Sequence, residues 1–217
     1  MDLIKESLLK SAAVTALVLL VGILVGLQAD DAREGYIEGQ LRESNLQTQT
    51  FIVTQNYLEG SGINYCSIVE DRIPDISSEN REIGQNLQSF SSKSISNEKE
   101  YTNLRREYYL SQLRLYNVIS EYKNRCNQDT KLIFFFFDSS TESKRQGAAL
   151  SKYYKEVDNS TYIFSYNLET KNSEILDMLK TDFEVQNGPA IVVNGNQTYR
   201  RYVPYGQLPE AINGTLE

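Results

Sequence analysis

The spacing of hydrophobic and polar positions changes character twice along the chain and divides it into three stretches. Residues 11–29 carry no charge and are almost wholly apolar, from Ala12 through Leu27. At helical rise this length matches a membrane's hydrocarbon core, so the pattern predicts a transmembrane helix. Leu27 in front of Ala29 makes a poor leader-cleavage site, so the segment reads as a retained anchor. From there to residue 126 the chain is polar, with apolar residues at helical spacing. Ile37, Leu41, Phe51 and Leu58 share one seven-residue lattice. Ile83, Leu87, Phe90, Tyr101, Leu104, Tyr108, Leu115, Val118 and Tyr122 follow another, interrupted at Ser94, Asn97 and Ser111. Such a seam predicts helices lying side by side as a bundle or coiled-coil stalk.

Two layouts fit this middle stretch. Gly60 to Gly62 marks a turn, Pro74 ends or bends a helix, and 89–96 is rich in serine. One layout is a hairpin whose second helix runs from 77 to 124. The other is an up-down-up bundle of helices over 31–59, 64–92 and 97–124. Cys66 and Cys126 meet only in the bundle, since a disulfide needs Cα atoms within about 7 Å. A Cys66–Cys126 disulfide is therefore expected if the compartment is oxidising.

Beyond residue 129 the pattern becomes alternating. Residues 131–137 read as a strand buried on both faces. Ser139 with Glu142 forms a capping box for a helix over 141–156. A strand over 161–166, a helix over 173–180, a strand between Gly188 and Gly195, its hairpin partner over 197–203 and a closing helix from Leu208 complete the order β-α-β-α-β-β-α.

With the aromatic strand ending in a helix cap, Pro189 opening an apolar strand, and the Asn194-Gly195 hairpin before a last helix, residues 129–217 resemble the thioredoxin superfamily. The resemblance implies a cis peptide before Pro189 and a groove lined by Gly188 and Pro189 that receives extended peptides. It also implies a redox C-x-x-C at the start of the first helix. Here that place reads Ser140-Thr141-Glu142-Ser143, so both sulfurs are replaced by hydroxyls. A serine hydroxyl cannot exchange disulfides, and no His or Cys lies nearby in sequence to activate one. Ser140 and Ser143 are thus degenerate redox positions, with no catalytic residue expected. Two readings of the place remain: a partner-binding groove, or serines that only cap a helix and a proline that only sets a turn. The Tyr199, Tyr202, Tyr205, Arg200 and Arg201 cluster reads either as a recognition patch or as the two faces of a hairpin.

The expected fold class is an N-terminal transmembrane helix, an α-helical bundle or coiled-coil stalk, then an α/β thioredoxin-like domain. The domains are a cytoplasmic N-terminus over 1–10, the membrane helix over 11–29, the helical stalk over 30–126 and the thioredoxin-like domain over 129–217. Lys5 and Lys10 precede the apolar stretch and Asp30 and Asp31 follow it, which places the N-terminus inside and the rest of the chain outside the cytoplasm. N-x-S/T sequons at Asn159, Asn196 and Asn213 agree as candidate glycosylation sites. Gly22 and Gly26 form a G-x-x-x-G suited to self-association in a bilayer.

Composition narrows the function classes. The net charge of −7 opposes nucleic-acid binding. The absence of histidine removes the commonest metal ligand and acid–base catalyst, and no acidic spacing or Gly-rich loop points to a metal or phosphate. No cofactor is expected. The expected role is a non-enzymatic interaction or scaffold subunit with the lipid bilayer and other membrane or envelope proteins as partners. The alternatives are a thiol-disulfide redox or folding factor using Cys66 and Cys126, and a peptide-holding accessory subunit of a membrane enzyme.

Overall fold

The computed structural model of the chain describes residues 46, 50, 65–91, 98–157 and 160–216. In chain order the elements are helices α1 (Tyr65–Ser91) and α2 (Glu98–Cys126), strand β1 (Lys131–Phe137), α3 (Thr141–Glu156), β2 (Thr161–Asn167), α4 (Glu174–Asp182), β3 (Ala190–Val193), β4 (Gln197–Tyr199), a 3-10 turn (Tyr205–Gln207) and α5 (Leu208–Asn213). The sheet order is β2-β1-β3-β4. β2 lies parallel to β1, while β3 and then β4 add antiparallel.

β1 is central because its side chains are apolar on both faces. Ile133 and Phe135 point to one side, with Ile191, Val193 and Tyr199 beside them, and are covered by Leu150 and Tyr153 of α3 and Leu208, Ala211 and Ile212 of α5. Phe134 and Phe136 alternate to the other side, where Phe164 and Tyr166 of β2 share the layer. Phe183, just after α4, closes against Phe134 at 4.9 Å between ring centroids.

The rest of that second face is covered by α2. Tyr116 packs on Phe134 at 4.6 Å and Tyr109 on Tyr166 at 4.9 Å. Between them, Gln112 is 1% exposed and treats the edge strand as a strand would. Its Nε2 donates to the Ser165 carbonyl at 2.8 Å and its Oε1 accepts from the Ser165 amide at 2.6 Å. The Tyr109 hydroxyl accepts from the Asn167 amide at 2.9 Å.

The expected fold class is corrected here. Among the described residues no helix is long and apolar enough to cross a membrane. The helical pair is not a stalk set before a separate α/β domain. Residues 62–217 form one compact unit, a mixed α/β domain with five helices and a four-stranded sheet among the described residues. The physical reason is that α2 carries two packed stripes. One, through Tyr108, Ser111 and Tyr122, faces α1; the other, through Tyr109, Gln112 and Tyr116, faces the sheet. The anchor expected over 11–29, the Gly22 and Gly26 motif and the helix expected over 31–59 lie outside the described residues.

The helix pair itself is antiparallel. Asn80 donates to Ser111 at 3.1 Å, Arg114 pairs with Glu79 at 2.6 Å, and Cys66 and Cys126 form a disulfide with 5.7 Å between Cα atoms. The hairpin with one helix from 77 to 124 is thereby excluded. Pro74 sits inside α1 without ending it. Glu107 is buried, and its carboxyl is raised to about 7, first by desolvation and then by the charge of Glu79.

Candidate functional site

The end of β1, the start of α3 and the loop before β3 converge on one carboxylate. Asp138 follows the last aromatic of β1. Its Oδ1 accepts from the Ser140 amide at 3.0 Å, the turn an aspartate makes with the backbone two residues on, and from the Ser143 hydroxyl at 2.7 Å. Its Oδ2 accepts from the Gly188 amide at 3.1 Å, fifty residues away in sequence. The Ser143 hydroxyl also accepts from the Asp138 amide at 3.1 Å. Ser140 is the N-cap of α3, its hydroxyl accepting from the Ser143 amide at 3.2 Å. Ser139, expected as the cap, instead donates from its amide and hydroxyl to Glu169 at 3.2 and 2.6 Å.

The Gly188–Pro189 peptide is cis. A Cβ on Gly188 would meet Ser143 Oγ at 2.8 Å and the Asp138 amide nitrogen at 2.9 Å. Only a residue without a side chain lets the loop come this close. Ser140, Ser143, Gly188 and Pro189 are thus brought together. Asp138, which joins them, is the residue that sequence reasoning missed. The signal was present: an aspartate directly after an apolar strand and two residues before a serine that opens a helix.

The chemistry available follows from the charge. Hydrogen bonds from Ser140 and then Ser143 hold the Asp138 carboxyl down at about 2. So weak a base does not take a proton from serine. Ser143 is 3% exposed, and its hydroxyl already donates to Asp138 and accepts from an amide. Both cysteines are bonded to each other, with none free. Among the described residues no group of three or more acidic or cysteine side chains is placed to hold a metal ion.

The remaining candidates are dispersed. Tyr199 is buried, its hydroxyl donating to the Ala211 carbonyl at 3.2 Å. Tyr202 lies under the Arg145 guanidinium, and Tyr205 lies under the Lys152 ammonium while donating to Glu156. Arg200 donates to the Glu184 and Phe183 carbonyls, both at 3.0 Å. Tyr199, Tyr202, Tyr205 and Arg200 thus each serve a local contact. Asn196 and Asn213 are exposed, and Asn159 lies outside the described residues. The chain matches no protein-family model, and no curated protein is significantly similar to it.

Proposed function

We propose that this chain is a non-enzymatic interaction subunit that works outside the cytoplasm, built on a thioredoxin-like sheet whose redox position has been taken over by hydroxyls. The observation that carries the reading is the Asp138 clasp. At the place where the superfamily keeps reactive sulfurs, the Ser140 hydroxyl caps α3, the Ser143 hydroxyl bonds Asp138, and Asp138 joins β1, α3 and the Gly188 loop. The strand order and the cis Gly188–Pro189 peptide support the resemblance. The Cys66–Cys126 disulfide supports an oxidising compartment. What remains for function is the end of the domain around exposed Ser139 and Asn187, offered to a membrane or envelope protein.

A photo-crosslinking residue at Asn187 tests this in the native setting. A discrete adduct with one partner is expected from Asn187, and none from the same probe at exposed Met178 on α4. The purified protein is expected not to accelerate insulin reduction. Equal labelling from both positions, or catalysed reduction, would defeat the reading.

A further inference from the structure

Two sequons lie within the described residues, and their placement carries more than their sequence. Asn196-Gln197-Thr198 follows a tight turn in which Asn194 and Gly195 have φ of 52° and 75°. The Asn196 amide closes that turn on the Val193 carbonyl at 3.2 Å, leaving the exposed asparagine at the tip between β3 and β4. Asn213-Gly214-Thr215 ends α5. Gly214, at φ 77°, caps the helix, and both Asn213 and Thr215 are exposed.

Both sites occupy the same end of the sheet. The turn lies where β1 begins, since the Asn194 amide donates to the Leu132 carbonyl at 2.7 Å. Gly214 lies against Gln197, whose Oε1 would be 3.2 Å from an added Cβ. The Asp138 clasp is at the other end of β1, a strand of seven residues, and so about 20 Å away.

We propose that Asn196 and Asn213 carry N-linked oligosaccharides that together cover one end of the domain and leave the Asp138–Gly188 end bare for its partner. In each transfer the asparagine Nδ2 bonds to the anomeric carbon of an oligosaccharide carried on a polyisoprenoid phosphate or diphosphate. The carbon–oxygen bond to phosphate breaks, the amide loses one proton, and the lipid phosphate leaves; nothing is oxidised or reduced. Folding accommodates the product because both asparagines face solvent, so a bulky polar chain displaces no packed side chain. The proposal rests on the extracytoplasmic reading above.

Mass spectrometry of the protein from its native source tests it. Trypsin separates the two sites, with Asn196 in residues 181–200 and Asn213 in the peptide that begins at Tyr202. Each peptide is expected heavier than its sequence by a glycan mass, and Asn196→Gln and Asn213→Gln are each expected to remove one such increment from the intact protein. An unmodified peptide overturns the assignment at that site. Protease added to intact cells separates the two failures. If the domain is cleaved from outside yet its peptides are bare, glycosylation fails and the compartment stands. If cleavage occurs only once the membrane bounding the cytoplasm is itself opened, the compartment reading fails and the glycans fall with it.

Discussion

Asp138 joins three segments with one carboxylate: its own turn, the first turn of α3 and the loop before β3. Folding depresses its pKa from the ordinary value of about 4 to about 2. The folded state therefore binds this proton less readily than the unfolded chain. The stability it confers is complete above pH of about 4 and is lost as pH falls toward 2. Asp138→Asn keeps the side chain's shape but removes the charge and the second accepting oxygen. The variant should be less stable at neutral pH by about 1 kcal/mol. In urea titrations the gap between the two proteins should narrow as pH falls from about 4. A gap that stays constant down to pH 2 would mean that the carboxylate's charge contributes nothing.

Among the elements, α2 holds the most consequential contact, because an edge strand with unpaired backbone groups costs stability when buried. Gln112→Ala would leave the Ser165 amide and carbonyl without these partners and open a cavity, so a loss of about 2–4 kcal/mol is expected by chemical denaturation. Gln112→Met keeps the volume. If it restores full stability, packing and not strand pairing is what Gln112 supplies. The same helix shows what sequence can reveal. The bounds of β1 and α3 were legible because a continuous apolar run and a polar segment before a helix are local signals, although the cap itself is Ser140 and not Ser139. The heptad-like stripe of α2 was legible as a seam, and Ser111 within it proves to pair with Asn80. What the stripe packs on is not a local property. Tyr109, Gln112 and Tyr116 form a second stripe on the same helix, and reading only the first turned part of the α/β core into an expected stalk. At the site, the nearness of Ser140, Ser143, Gly188 and Pro189 was an implication of the thioredoxin resemblance and not of any spacing in the chain. Their union through Asp138 depends on a contact between residues 138 and 188, which no spacing encodes.

At the scale of the whole molecule, Cys66–Cys126 closes a covalent ring around the helix pair, with a sequence separation of 60. Replacing both cysteines by serine frees the unfolded chain and should lower stability by about 2–4 kcal/mol. Hydrogen exchange should then quicken in α1 well before it does in the sheet, and uniform quickening would mean that the pair and the sheet unfold only together. The ring also changes how the molecule bears a mechanical load. A pull on the chain ahead of Cys66 crosses the sulfur bridge to Cys126 and enters β1 at Lys131, only five residues on. The path by-passes the 59 residues between the cysteines. Tension therefore reaches the sheet without peeling apart α1 and α2, and the helix pair is a passenger on that line and not a spring within it.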